Sequence, residues 1–296
     1  MPYDFDFKTY YKLLLPQDSR PHGFLEPTIV SQIPWSSHFS IDHDAHIIRL
    51  IDSSNGQDTG RACTEGFQET INGIVDAKLF PAVHKHSELF RLMGANYDVV
   101  FERFTSPILG LAGRGAHMTA FVRTAQGIKI WIPRRSAHLK TYPGMLDTSV
   151  AGGVKADDTP LSCIVDEAYE EASLPREYVK EHAVPVGVIT HLSISSLSRP
   201  LELVYSQVLY IFDIELPESI VPKPGDDEVE GFHLWSVEEV KQAMMKQEFK
   251  PNSSLVMMDF FIRHGIFTPD NLEGYAEITM RLRRLLPVAI TPEQTS

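Results

Sequence analysis

The spacing of apolar residues along this chain changes period several times, and each change marks an element. After His117 the chain reads M-T-A-F-V-R, then A-Q-G, then I-K-I-W-I-P: two alternating runs about a turn, which predict a β-hairpin. Residues 183–191, 204–216 and 228–235 read as further strands. Between them Leu161, Ile164, Val165, Ala168 and Ala172 recur at helical spacing. Thr159 supplies an N-cap and Pro160 a first helical residue whose missing N–H is no loss. This helix should stop near Ser173, before Pro175. Residues 237–247 and 254–264 read as closing helices. Strands, helix, strands, helices in that order predict an α/β fold with a mixed sheet between helical layers.

The first part of the chain patterns differently. Residues 7–15 read as a helix, 47–51 as a strand, S-S-N-G-Q-D as a turn and 63–78 as a helix, with short elements at 86–92 and 99–104. A smaller α+β N-terminal domain over residues 1–115 is expected. The glycines at Gly110, Gly113 and Gly115 mark the junction. The second domain spans 116–285, and 286–296 read as a loose tail. No catalytic constellation stands out before the junction; His84 and His86, two apart, read as surface or packing residues.

The helix after Pro160 carries the chemistry. Residues 152–174 read G-G-V-K-A-D-D-T-P-L-S-C-I-V-D-E-A-Y-E-E-A-S-L. Glu167, Glu170 and Glu171 stand at i, i+3, i+4 and share one face, roughly 120° around from the apolar face. Upstream, Val150-Ala151 reads as a strand running into a tight turn at Gly152-Gly153. Like charges so placed repel each other. Either the face is solvated, or a hard cation such as Mg²⁺ or Mn²⁺ relieves the repulsion.

Composition narrows the partners. The 296 residues carry a formal charge of −12, which argues against a nucleic-acid partner. With 43% hydrophobic residues the chain can bury a full core. Cys63 and Cys163 are too few and too far apart for a disulfide framework, and Cys163 reads as a packing residue. No secretory pattern opens the chain, and no apolar run approaches the ~20 residues of a membrane span. A soluble, reducing, cytoplasmic setting is expected, with a small phosphorylated metabolite as partner and no membrane.

The acidic helix resembles the Nudix signature: Gly, five residues, Glu, seven residues, Arg-Glu, an aliphatic, one residue, Glu-Glu, one residue, Gly, an aliphatic. Gly152, Glu167, Ala168, Glu170, Glu171 and Leu174 match it. Asp158 stands where the first Glu belongs, Asp166 replaces the Arg and Ser173 the last Gly. Y-P-G-M-L-D before V-A-G-G, E-E-A-S-L-P after the box and F-K-P-N-S-S-L-V-M-M-D-F-F-I-R-H-G further on are similar to one branch. That branch is related to the Nudix half of fungal thiamine pyrophosphokinase fusions and carries an extra N-terminal domain.

The resemblance implies a Nudix α/β/α sandwich and metal-dependent hydrolysis of a diphosphate linkage. The branch implies thiamine diphosphate or its oxidised analogues as substrate, giving the monophosphate and phosphate. It also implies that Glu167, Glu170 and Glu171 are metal ligands, one of them able to act as base, with a carbonyl of Ala151 or Gly152 as a further ligand. A later carboxylate is expected from D-D-E-V-E, Glu228 first and Glu230 second. Arg134, Arg135 and Gly153 are candidates for the substrate phosphates, and Trp131, Tyr142, Tyr205 and His191 for its ring. Two other readings stay open: a hydrolase of nucleoside diphosphates linked to another group, and a catalytically silent module that binds a phosphorylated metabolite. Asp166 keeps the last alive.

Overall fold

The computed structural model describes residues 5–81, 83, 85–195 and 203–293, and its strands fall into separate sheets in an N-terminal and a C-terminal unit. The first unit runs through β1 (Tyr11–Leu14), β2 (Gly23–Leu25), α1 (Pro27–Gln32), β3 (Phe39–Asp42), β4 (Ile47–Leu50), α2 (Thr59–Asp76), β5 (Leu89–Arg91) and β6 (Val100–Glu102). Its sheet has the order β2-β1-β4-β3, with β1 and β4 parallel, and β5–β6 form a separate hairpin. Helix α2 buries Cys63, Phe67, Ile71 and Ile74 against Leu13, Ile48 and Phe101.

The helix expected over residues 7–15 is instead the strand β1. Leu13 and Leu14 are both buried and only Lys12 within the strand is exposed, because β1 lies between β2 and β4 and is covered. A run of apolar residues ending at Pro16 does not separate a buried strand from a buried helix. The strand at 47–51, the helix over 63–78 and the two short elements are present, with small shifts at their ends.

The second unit contains β7 (Ala112–Thr124), β8 (Gly127–Arg135), β9 (Val150–Gly153), α3 (Pro160–Ala172), α4 (Arg176–His182), β10 (Val184–Ser195), β11 (Leu203–Glu215), β12 (Val229–Ser236), α5 (Val237–Met245), α6 (Pro251–Arg263) and α7 (Tyr275–Arg281). Its sheet runs β10-β11-β7-β8-β12, with β9 added beside the first half of β7. Only the β7–β11 pair is parallel, so the sheet is mixed. Residues 116–122 are buried without interruption, the mark of a strand covered on both faces. On one face Met118, Val150 and Phe212 pack with Ile164, Ala168 and Ala172 of α3. On the other Phe121, Ile130 and Ile211 pack with Val240 of α5 and Phe260 of α6. The expected α/β/α sandwich with a mixed sheet is therefore present.

The junction is tight. Gly110 has φ 62°, and a Cβ there would lie 2.1 Å from the Phe24 carbonyl oxygen, so only glycine fits. Strand β7 already begins at Ala112. The segment from residue 286, expected to be loose, is docked as far as it is described: Val288 is buried with Tyr10, Phe24 and Ala112, and the Ala289 N–H donates to the Pro21 carbonyl (2.8 Å). Residues 294–296, like His84, lie outside the described residues. The His86 ring pairs with Glu102 (2.7 Å), in keeping with a packing role.

One buried carboxylate ties the second unit together. Asp147 accepts from Lys250 Nζ (3.2 Å), Arg135 Nη1 (3.2 Å), Ser253 Oγ (2.5 Å) and the Thr148 N–H (2.9 Å). Burial raises its pKa, but Lys250, His117, Ser253 and Arg135 overcome that and hold it at about 2. Burial, then Lys250, brings His117 down to about 4, so at neutral pH the positive charge opposite Asp147 is carried by Lys250 and Arg135. Replacing Asp147 with Ala leaves two cations without their partner. The loss should be about 3–5 kcal/mol in chemical denaturation at pH 7. Because the folded pKa is depressed, the Asp147 contribution is complete above about pH 4 and fades as pH falls toward 2. A loss below about 1 kcal/mol at pH 7 would mean that the cations find other partners.

Candidate functional site

The site starts from the way α3 meets β9. Thr159 accepts from the Ser162 N–H, Ser162 returns a bond to the Thr159 N–H, and Pro160 takes the first position, so the helix begins where its sequence indicates. It ends at Ser173, whose φ of 52° is left-handed, the conformation that glycine would adopt most readily in the motif. Between these caps the helix turns Glu167 and Glu171 onto the strand.

Glu167 lies directly on Gly152. A Cβ at Gly152 would sit 2.2 Å from Glu167 Oε1, so the carboxylate occupies the space that any side chain would take. Glu171 is 9% exposed, and its Oε2 accepts from the Ala151 N–H (3.2 Å). In an antiparallel ladder a residue turns its N–H and C=O to the same side. The Ala151 carbonyl therefore also points away from β7, whereas Gly152 turns its polar groups toward Ala116. Of the two carbonyls expected as ligands, that of Ala151 is the one left available.

Burying two carboxylates together has an electrostatic consequence. Burial, then Glu170, raises the Glu167 pKa to about 7, although Lys155 and Arg103 oppose the rise. Burial, then Glu167 and Asp147, raises Glu171 well above the carboxylate range. Neither carboxylate has an ion-pair partner among the described residues. Glu170 points outward and is exposed. Among the described residues no three His, Cys, Asp or Glu side chains converge closely enough to form a ready cation cage. The donor chemistry nevertheless fits a hard divalent cation, since Glu167, Glu171 and the Ala151 carbonyl present oxygen atoms alone.

The loop between β11 and β12 lies against the end of α3. The Lys223 N–H donates to the Ala172 carbonyl (3.0 Å) and the Gly225 N–H to the Glu171 carbonyl (3.2 Å). A Cβ on Gly225 would meet the Glu170 carbonyl oxygen at 2.3 Å. Three residues on, Glu228 is exposed and close enough to raise the pKa of both Glu167 and Glu171. Glu230 is exposed on β12 and contributes to neither.

The other candidates are scattered. Arg135 is held by Asp147, and Arg134 Nη1 donates to the Gly144 carbonyl (2.7 Å). Trp131 is half-buried among the residues beneath α3, and its indole N–H has no partner among the described residues. Tyr142 is 44% exposed on the loop after β8, near enough to Tyr205 to act on it electrostatically. Tyr205 itself packs against the N-terminal core. His191 is half-buried against Gln207 (3.4 Å). Asp166 turns away from the site to pair with Arg176, whose guanidinium covers the Tyr169 ring (4.5 Å). Gly153 is covered from the N-terminal unit: a Cβ there would meet Phe90 at 2.7 Å and Arg103 Cζ at 3.4 Å. No sequence signal pointed to Phe90 or Arg103.

A model of the NUDIX domain matches residues 113–256. Those residues are a NUDIX domain. An uncharacterized protein of Saccharomyces cerevisiae is 36% identical over 197 residues, 64% of this chain and 58% of its own length. Nudix hydrolase 20, chloroplastic, of Arabidopsis thaliana is 36% identical over 224 residues, 74% of this chain and 58% of its own. Nudix hydrolase 24, chloroplastic, of the same plant is 35% identical over 183 residues, 62% and 48% respectively. The chain thus spans about half the length of the curated relatives it matches. The 224-residue likeness is longer than everything from residue 113 to the C terminus, so it reaches into the N-terminal unit. Among the described residues no helix is long and apolar enough to cross a membrane.

The raised Glu167 pKa makes a stability prediction. A carboxyl whose folded pKa lies above its unfolded value helps most below about pH 4.5, and that help is lost as pH rises through about 7. With chelator present, Glu167→Gln should therefore be more stable than the parent at about pH 8 and equal to it near pH 4.5, by urea midpoints. Equal midpoints at both pH values would show that Glu167 is solvated.

Proposed function

We propose that the protein is a Nudix hydrolase that cleaves a diphosphate linkage with the help of Mg²⁺ or Mn²⁺. The observation that carries this reading is the burial of Glu167 and Glu171 on the glycine strand, with the Glu228 loop laid across the end of their helix. Glu167, Glu171 and the Ala151 carbonyl would hold the metal, which supplies charge neutralisation and a more acidic bound water. Glu170 and Glu228 flank that pair from the solvent side. Glu228, on a loop and without an ion pair among the described residues, would accept a proton from water. Asp166, tied to Arg176, adds no charge to the carboxylate pair, which favours a working site over a silent one.

For the substrate, thiamine diphosphate and its oxidised analogues are the reading supported by the motifs shared with the thiamine pyrophosphokinase-related branch. Trp131, with an unpartnered indole N–H beneath α3, offers a ring face and a donor to a heteroaromatic group. The exposed Tyr142 beside Tyr205 offers a second face. A site that hydrogen-bonds one exocyclic group discriminates sharply among close analogues. Hydrolysis then gives the monophosphate and inorganic phosphate. One observation favours a silent binding module instead: Glu170 is exposed, unlike Glu167 and Glu171.

Release of phosphate or of phosphomonoester products, followed by phosphorus NMR over a panel of thiamine diphosphate, its oxidised analogues, ADP-ribose and dinucleoside polyphosphates, tests both readings. Chelator should abolish release and Mg²⁺ or Mn²⁺ restore it. Glu171→Gln should lower kcat by at least ~10²-fold while the fold survives. The oxidised analogues should show the highest kcat/KM and ADP-ribose the lowest. No release from any compound would support the silent module, and a preference for ADP-ribose would remove the thiamine assignment while leaving the chemistry.

A further inference from the structure

The N-terminal unit reaches the acidic helix through the β5–β6 hairpin. The Ala156 N–H donates to the Leu89 carbonyl (2.8 Å), and the Arg91 guanidinium donates to the Ala156 carbonyl from Nε (3.3 Å) and Nη2 (3.1 Å). Ala156 lies in the loop that joins β9 to α3. The hairpin and that loop are therefore held as one body. Arg103 follows β6 directly, and its guanidinium carbon comes within 3.4 Å of a Cβ position on Gly153, next to the glycine that carries Glu167.

Three facts separate Arg103 from the other arginines nearby. Its recorded ion pair is a long one, to Glu88 at 3.8 Å, beyond hydrogen-bond distance. Phe90 and Phe104 flank the guanidinium at 5.8 and 6.0 Å, an arrangement that fixes its place and leaves N–H groups to donate. It also acts electrostatically on Glu167 without a recorded hydrogen bond to it. By contrast Arg134 is committed to Gly144, Arg135 to Asp147 and Arg176 to Asp166. A cation meant to orient Glu167 would bond to it. A cation beside buried carboxylates with donors to spare suits an anion that arrives with its own countercharge.

We propose that Arg103, supplied by the N-terminal unit, binds a phosphoryl oxygen of the diphosphate and so completes the site from outside the NUDIX domain. This rests on the diphosphate reading above. The guanidinium fork matches phosphoryl oxygens, which lysine does only as a point charge. The N-terminal unit thereby becomes a part of the binding site as well as a neighbour of it.

The test is calorimetric binding of inorganic pyrophosphate in the presence of Mn²⁺, and of Mn²⁺ alone, to the full chain. The parent, Arg103→Ala, Arg103→Gln and Arg103→Lys are compared. Arg103→Ala should weaken pyrophosphate binding ~10–100-fold, the scale of a charged hydrogen bond, and Arg103→Lys should recover part of it. Mn²⁺ affinity without pyrophosphate should change by less than about twofold, since a phosphate ligand is not a metal ligand. Unfolding midpoints should hold, because the side chain is 45% exposed; should the alanine variant misfold, Arg103→Gln keeps the stem and makes the same comparison. Parent-like pyrophosphate binding in Arg103→Ala or Arg103→Gln would overturn the proposal and leave the diphosphate reading intact. A change confined to Mn²⁺ affinity would overturn it in favour of a positioning role. Failure of the parent to bind pyrophosphate with Mn²⁺ would remove both.

Discussion

The close approach of α3 to β9 is the constraint on which the site depends. At Gly152 the helix comes so near that the Glu167 side chain fills the place of a Cβ. That approach sets two carboxylates into a partly desolvated seam with a backbone N–H as their compensation. A carboxylate in such a place is either protonated or matched by a cation. Here the strand face offers peptide groups and the helix offers acids, so burial drives both pKa values upward. Caps at both ends of α3 keep the helix in register with the strand, and a slip of one residue would carry Glu167 off the glycine.

Asp147 explains why distant stretches of the chain belong together. Y-P-G-M-L-D ends on Asp147, and F-K-P-N-S-S supplies Lys250 and Ser253 to it. The two motifs meet in a buried ion network, with Arg135 of β8 as its third arm. That network anchors the start of α6 to the segment leading into β9, and its charge reaches Glu171. What these motifs carry first is architecture.

Much of the second unit was legible in the sequence because its signals are local. The A-Q-G turn between alternating runs, the Thr159-Pro160 cap and the 3.6-residue spacing of Ile164, Ala168 and Ala172 each lie within a dozen residues of what they specify. Glu167 and Glu171 were legible for the same reason. The N-terminal unit was read less well. Leu13 and Leu14 sit in a strand covered by neighbours distant in sequence, and apolar runs of that length fit a strand or a helix equally. The docking of residues 286–293 against Pro21, Arg20 and Gly94 could not be seen from a polar, proline-containing terminus. Arg134 and Arg135 looked alike in sequence, and only the fold shows Arg135 pointing at a buried acid.

The substitution of Asp166 for the motif arginine shows how a missing charge can be accommodated. An aspartate beside three glutamates would aggravate their repulsion if it faced them. It does not, because Arg176 at the start of α4 draws it to the opposite side and is itself held over Tyr169. Lys155 on the adjoining loop and Arg103 across the domain boundary act on Glu167 electrostatically, yet burial and Glu170 still carry its pKa up to about 7. Distance along the chain hid this neighbour: Arg103 precedes Glu167 by several strands and a junction, and it carries no motif of its own. The tight packing at Gly110 and the bonds from Leu89 and Arg91 to Ala156 hold the N-terminal unit against the loop before α3, and a residue supplied from another unit keeps its place only if that unit cannot drift.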